Sequence, residues 1–368
     1  MRIPVAVSST LLPNALRLAE RWVPEPIVDF YASLLSPQWR LHRVVARVES
    51  LQQVAAETLL IRLRPNHNWR GCAGGQHVQL TVEIDGVRHV RSYSPIKPSR
   101  PGRAIEIAVR REPAGVVSGW LHDCLKAGDY LELSQAFGDF RLPEPPPPAL
   151  LFIAAGSGVT PLLAMVHELF ERKYTGDIAM LYYGRTQAGF AFADTLQRLA
   201  YLHPNFNVHL SLTGEEAPPR WLSGRFEATH LQRVARAGER TTFVCGGHGF
   251  TEAVRLVWQS QAYFGELHVE AFSPPPPVVE GEQQAVTLTF ARSKQQYEGS
   301  TGLPLLNQAE ASGLRPACGC RMGICFSCSC KKLSGAVRDI RSGKVLAEPG
   351  ESIQLCVCAP LTDVVLDL

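Results

Sequence analysis

Cys320-Arg-Met-Gly-Ile-Cys325-Phe-Ser-Cys328 sets three cysteines at C-x4-C-x2-C spacing, and Cys356 and Cys358 offer a further thiol near the chain end. A tight loop of this kind lets deprotonated, soft ligands converge on one side of a [2Fe–2S] cluster, with a distant cysteine completing the set. Gly319 and Gly323 suit backbone that must turn sharply around metal. Seven of the ten cysteines lie between Cys318 and Cys358, a clustering that favours a metal site over a scattered disulfide framework. A structural zinc site would supply paired C-x2-C elements; here one such pair has a clear place and C-x4-C is left over. A [2Fe–2S] cluster carries one electron at a time and no hydride. The rest of the chain must therefore hold the electron source.

The 368 residues suffice for two or three domains, each with its own core. A net charge of +3 is too mild to argue for nucleic acid. The start, MRIPVAVSSTLL, lacks the cationic region, long apolar stretch and cleavage site of a secretory signal. No apolar run approaches the roughly 20 residues that span a bilayer. A reducing, cytoplasmic compartment is expected.

Two proline clusters, Pro143–Pro148 and Pro274–Pro277, read as stiff spacers that cannot join a sheet or helix interior. They divide the chain into 1–145, an α/β unit (146–273) and a C-terminal unit (279–368); the first part reads as an N-terminal extension (1–40) followed by a β-rich unit (41–145). In the β-rich unit TLLIRLRP, HVQLTVEI and AIEIAVRR alternate apolar and polar residues or are rich in β-branched ones. The α/β unit alternates LLFIAA, TPLLAMVHELFERK, IAMLYYG and FADTLQRLAYL, the order of a parallel sheet with crossover helices. Within the extension, Ile27, Phe30, Tyr31, Leu34 and Leu35 share one helical face. That face either packs on its own domain or docks on a partner or membrane surface.

Arg91-Ser92-Tyr93-Ser94 follows a strand. An aromatic ring can cover an isoalloxazine, a hydroxyl can bond the flavin ring or ribityl chain, and an arginine can pair with phosphate. Gly115-Val-Val117-Ser118 then precedes a helical stretch, with Ser118 as a candidate N-cap whose helix offers free N–H groups to a pyrophosphate. Together the two motifs point to a bound flavin.

The buried-strand run Leu150–Ala155 leads into Gly156-Ser-Gly158-Val-Thr160-Pro161. Its glycines permit close approach to phosphate, Thr160 is a candidate N-cap and Pro161 a candidate first helical residue. The motif departs from G-x-G-x-x-G, because proline stands in place of the third glycine. Cys245, Gly246 and Gly247 close a later strand, where ligands bind in open α/β sheets. Arg185 ends the second strand, with no acid where a ribose 2′-hydroxyl is usually gripped, which leans toward NADPH. Glu270 and Phe272 end the last strand of this unit.

These motif sets, in this order, resemble the ferredoxin–NADP reductase superfamily with a C-terminal plant-type ferredoxin domain. The resemblance implies an antiparallel β-barrel FAD-binding domain, an α/β parallel-sheet NAD(P)-binding domain and a β-grasp [2Fe–2S] domain. It implies that Arg91, Tyr93 and Ser94 bind the flavin, that Gly115 and Ser118 bind the FAD pyrophosphate, and that Gly156, Gly158 and Thr160 bind the nucleotide pyrophosphate. It places Glu270 and Phe272 near the flavin. Cys245-Gly246-Gly247 departs from the family's C-G-P at the nicotinamide. Cys356, four residues before Pro360, matches the distant cluster ligand, giving Cys320, Cys325, Cys328 and Cys356 as the metal set. CRMGIC followed by SGAVRDIRSG resembles the reductases that serve bacterial fatty-acid and acyl-CoA desaturases; reductases of aromatic-ring oxygenases share the three modules.

A hydride donor and a one-electron carrier need a flavin between them. The expected route runs from NAD(P)H to FAD, with Ser94, Cys245 and Glu270 placing the rings, then to the cluster and on to an iron-containing desaturase or oxygenase. FMN in place of FAD, and a redox sensor that does not turn over, are the competing readings. Lys331, Lys332, Arg338, Arg341 and Lys344, against the single acid Asp339, form either a solvated loop or a docking patch for an acidic partner.

Overall fold

The helical spacing near the N-terminus produces Glu25–Leu35 (α1), entered through Pro24 and Pro26. Its buried residues are Val28, Asp29 and Ala32. Asp29 ties the helix to the body, accepting from Leu41 N at 2.8 Å and facing Arg43 Nε at 3.3 Å. Of the two readings of the apolar face, packing on its own domain does not hold among the described residues: its five residues are exposed, from 47% at Ile27 to 77% at Leu35. The computed structural model describes residues 23–113, 115–272, 284–319, 321, 323 and 326–368. No helix among them is long and apolar enough to cross a membrane.

Val44–Ala55 (β1), Thr58–Pro65 (β2), Val78–Ile84 (β3), Val87–Tyr93 (β4), Ile105–Arg110 (β5) and Tyr130–Leu133 (β6) form one antiparallel sheet, ordered β4-β3-β6-β1-β2-β5. Strand alternation turns Val78, Leu80 and Val82 inward to meet Ile61, Leu63, Ile105 and Ile107 in a common core. A bridge between Pro95, just past β4, and Ile107 of β5 joins the two edges of the sheet and closes it into a barrel. Val116–Asp123 (α2) packs Val117 and Leu121 on that core.

The next unit is a parallel sheet of Ala149–Ala155 (β7), Asp177–Gly184 (β8), Phe206–Leu212 (β9), Leu222–Ser223 (β10), Thr241–Gly246 (β11) and Leu267–Ala271 (β12). Their order is β10-β9-β8-β7-β11-β12. Helices Val159–Glu171 (α3), Ala193–Leu202 (α4) and His248–Ser260 (α5) connect the strands, and β7 is an unbroken apolar run buried in cores on both sides. The chain leaves β7 toward β8 and later returns to β11 on the other side. The sheet's switch point therefore lies between β7 and β11, where α/β sheets open a crevice for ligands. Pro143–Pro148 lies against this unit, with Glu144 paired to Arg172 at 2.5 Å and the Tyr174 hydroxyl donating to Pro147 O. The second proline run, Pro274–Pro277, lies outside the described residues.

In the C-terminal unit, Ala285–Phe290 (β13), Gln295–Ser300 (β14), Ser329–Ser334 (β15), Ser352–Gln354 (β18) and Val364–Leu366 (β20) make a sheet ordered β14-β13-β20-β15-β18. Strands β13 and β20 run parallel at its centre. Helix Leu305–Ala311 (α6) buries Leu305, Leu306 and Ala309 against Leu288, Phe290 and Leu366, giving the β-grasp arrangement. Val337–Asp339 (β16), Val345–Leu346 (β17) and Cys358–Pro360 (β19) add a small sheet. Alternation along β15 turns Lys332 fully inward, where Nζ donates to Gly335 O at 2.8 Å and Glu348 O at 2.7 Å. Lys332 thus drops out of the cation patch read from the sequence.

Candidate functional site

Four sequence motifs meet in one cleft of about 400 Å³, lined by Arg91, Ser92, Tyr93, Ser94, Gly115, Val117, Ser118, Thr160, Glu270 and Phe272. Strand β4 delivers the first group, with Ser92 in register with Gln79 and Tyr93 with Val78. Ser118 is not the cap of α2. Gly115 holds the extended N-cap position, and Ser118, three residues on, accepts from Glu112 N at 3.1 Å and donates to Gly115 O at 3.3 Å. A Cβ on Gly115 would lie 2.5 Å from Ser118 Oγ, so a side chain there would displace the Ser118 hydroxyl from this turn. Burial pushes the Tyr93 phenol up, so it stays protonated at neutral pH.

A second cleft, of about 490 Å³, adjoins the first across Arg110, Ser157 and Thr160 and holds Gly156, Tyr182, Arg185, Thr186 and Glu215. Here too the helix start differs from its sequence reading. A 3₁₀ turn, Gly156–Gly158, precedes α3 with Gly158 at the N-cap; Thr160 donates to Ser157 O at 3.0 Å and Pro161 lies within the first turn. Gly156 has φ +55°, a left-handed conformation that favours glycine. The Tyr182 hydroxyl donates to its carbonyl at 3.2 Å. Gly158 permits the loop to touch β11: a Cβ there would lie 2.2 Å from the Cys245 carbonyl oxygen. An acid from beyond β9, Glu215, lines the same cleft as Arg185 and accepts from Gln187 N at 2.8 Å.

Strand pairing sets Cys245 directly opposite Glu270 and Ala154. Cys245 is wholly buried in the core with Gly246 beside it, and burial lifts its thiol well above the ordinary range. Glu270 reaches the cleft, yet burial pushes its carboxyl up to about 8. His77, which no sequence motif marked, lies 3.9 Å from Glu270 by its Nδ1. His77 and Glu270 form a shared wall between the 400 Å³ cleft and a third, of about 700 Å³, where all three units meet.

In the cysteine loop, Cys328 and Cys356 bring their sulfurs to 3.2 Å from segments far apart in sequence, while Cys320 and Cys325 lie outside the described residues. Arg321 and Phe326 both take left-handed backbone, as does Gly323, so the loop winds tightly. Two arginines brace it. Arg321 grips Glu310 of α6, with one bond of 2.9 Å. Arg341 donates to Gly323 O at 2.8 Å and also bonds Asp339 and Gln354. Arg321 lines the same cleft as Tyr93 and Ser94, so cysteine loop and motif cleft touch.

Buried, soft, converging sulfurs are the donor chemistry an iron–sulfur cluster requires. Ser92 Oγ and Glu270 Oε2 are buried with no hydrogen-bond partner among the described residues, which fits a cleft shaped for a polar ring system. The comparisons agree. A family model for an oxidoreductase FAD-binding domain matches residues 45–142, one for an oxidoreductase NAD-binding domain matches 152–256, and one for a 2Fe-2S iron-sulfur cluster binding domain matches 288–361. An NADPH oxidoreductase of Mycobacterium tuberculosis is 31% identical over 361 residues, covering 96% of this chain and 92% of that one. A glycine betaine monooxygenase reductase subunit of Pseudomonas aeruginosa is 29% identical, covering 80% and 86%. The solved structure of phthalate dioxygenase reductase shares the fold, with TM-score 0.60 and 22% identity over 89% of this chain and 98% of that one.

Fold and site define an electron-transfer reductase that carries NAD(P)H-derived electrons through FAD to a [2Fe–2S] domain. The chain belongs to the ferredoxin–NADP reductase superfamily, in the group with a C-terminal ferredoxin domain.

Proposed function

We propose that this reductase draws on NADPH and serves an iron-containing desaturase or oxygenase. The observation that carries the route is the shared wall: Arg321 of the cysteine loop, Tyr93 and Ser94 of the barrel and Glu270 of the α/β unit line one cleft. FAD bound there would accept two electrons as hydride and release them singly to the cluster.

The chain's own residues orient, exclude and hold protons. Ser94, Glu270 and Phe272 flank the place where nicotinamide and flavin rings meet. Arg91, with Gly115, Val117 and Ser118 at the start of α2, holds the FAD phosphates; Gly156, Gly158 and Thr160 hold those of the nucleotide. Cys245 stands beside Glu270 in the strand pair and holds its place in the register. Gly246 and Pro161 shape the loops on which these groups sit. Arg185 is the cation for a 2′-phosphate; Glu215, in the same cleft with one oxygen taken by the Gln187 N–H, is the acceptor that the ribose 2′-hydroxyl of NADH would use instead. Cys320, Cys325, Cys328 and Cys356 ligate the cluster.

For the acceptor, a fatty-acid or acyl-CoA desaturase is supported by the exposed apolar face of α1, which suits a partner at a membrane surface. The oxygenase reading is supported by similarity to the glycine betaine monooxygenase reductase subunit. Reconstitution separates them. With NADPH and a membrane desaturase, a long acyl chain should gain a double bond; turnover only with a soluble ring-hydroxylating oxygenase would overturn the desaturase assignment.

A further inference from the structure

Gln79 occupies a place that neither the flavin motif nor the cysteine spacing marks. On β3 it stands in register with Ser92, inside Arg91-Ser-Tyr-Ser94. Its backbone N–H and C=O are both held by Ser134, Gln79 N donating to Ser134 Oγ at 2.8 Å and Ser134 N donating to Gln79 O at 2.9 Å. From that base the side chain crosses to the C-terminal unit, where Gln79 Nε2 donates to Ser327 Oγ at 2.9 Å. Ser327 immediately precedes Cys328. The turn containing it is tied by Ser329, which donates to Phe326 O from its N–H at 3.0 Å and from its hydroxyl at 2.7 Å. One hydrogen bond therefore separates the residue paired with the flavin motif from the neighbour of a cluster cysteine.

The join is open beside this contact. The 700 Å³ cleft runs between the units, with Phe140 on the barrel side, Arg255 on the α/β side, and Phe326 of the cysteine loop with Arg341, which braces that loop, on the C-terminal side. An interface that is part void depends on the directional contacts it does make.

We propose that Gln79 and Ser327 form a positioning latch that holds the cysteine loop at the separation and register where single electrons cross from the flavin cleft. The proposal rests on the electron route given above and adds which residues keep the gap. NADPH gives up a hydride and becomes NADP⁺. Each of the two electrons then takes an oxidised [2Fe–2S]²⁺ cluster to [2Fe–2S]⁺, which passes it to a one-electron acceptor such as cytochrome c, and the proton that arrived with the hydride is released to water. Electron transfer falls steeply with separation, so a loosened latch slows the crossing. Hydride delivery needs neither residue.

The test is anaerobic single-turnover kinetics on purified holoprotein carrying Ser327→Ala, Ser327→Thr, Gln79→Leu or the Gln79→Leu/Ser327→Ala pair. Flavin bleaching by NADPH is followed by absorbance and cluster reduction by freeze-quench EPR, normalised to cluster content. Bleaching should be unchanged. Cluster reduction should slow about tenfold or more in Ser327→Ala and Gln79→Leu, no further in the pair, and should recover to within about twofold with Ser327→Thr, which keeps the hydroxyl. Hydrogen exchange at residues 326–330 should quicken in the alanine variant and return with threonine. Native-rate cluster reduction in Ser327→Ala, a threonine variant as slow as alanine, or a pair whose losses multiply would each overturn the latch. If the unaltered protein bleaches its flavin and never reduces its cluster, the electron route itself fails instead.

Discussion

Glu270 is a carboxylate placed where ionising is expensive. It is buried, lies 3.9 Å from His77 and stands opposite Cys245, and its carboxyl is pushed up to about 8 from an ordinary value of 4.5. Between those two values the unfolded chain has released the proton and the folded chain retains it. The stability attached to the protonated form is therefore fully present below about pH 4.5 and is lost as pH rises through about 8, with a slope on the order of 1.4 kcal/mol per pH unit. Glu270→Gln cannot ionise and should be free of this loss. Its melting temperature relative to the unaltered protein should rise from about pH 5 to about pH 8 and level off above. A constant offset across that range would show that Glu270 is ionised in the fold. His77 carried no sequence signal, since a single histidine ahead of a strand looks like any other; the meeting of the barrel with β12 is what brings Glu270 to it.

At the scale of elements, the strands of the barrel and of the α/β unit were legible because alternation and buried runs report burial directly. The helix starts were less so. Ser118 and Thr160 are good capping residue types, but a cap is decided by backbone geometry, and Gly115 and Gly158 hold the N-cap positions, Gly115 with the extended geometry. The pairing of Cys245 with Glu270 joins segments 25 residues apart, and no local pattern reports a strand register. Lys332 looked like a surface cation until strand alternation and two carbonyls took it inside. The β7–β11 crossing is the sharpest test of an element. Gly158→Ala would press a methyl to 2.2 Å from the Cys245 carbonyl oxygen. It should cost about 1–3 kcal/mol of stability and weaken NADPH binding about tenfold or more, read by thermal melts and difference spectroscopy. Unchanged values would mean that the loop does not press on β11. For α1, Phe30→Ser with Leu34→Ser should leave NADPH-dependent ferricyanide reduction intact while lowering electron delivery to a membrane-bound desaturase severalfold. Equal loss with both acceptors would show that the face serves folding alone.

On the scale of the whole molecule, three units are arranged so that their ligand-facing edges share walls. Glu270 of the α/β unit faces a barrel cleft, and the cysteine loop reaches the same cleft through Arg321. No single motif contained that convergence. The motifs named the parts, and the contacts between units, such as Gln79 with Ser327, show how a two-electron source can lie beside a one-electron carrier in one polypeptide. The most direct measurement is an anaerobic NADPH titration of the purified, coloured protein, followed by optical and EPR spectra and by identification of the flavin released on denaturation. The expected result is release of FAD, bleaching of its absorbance by NADPH and appearance of a reduced [2Fe–2S] signal before any acceptor is added. Protein that contains iron and sulfide but releases no flavin, or whose cluster stays oxidised after NADPH has bleached the flavin, would contradict it.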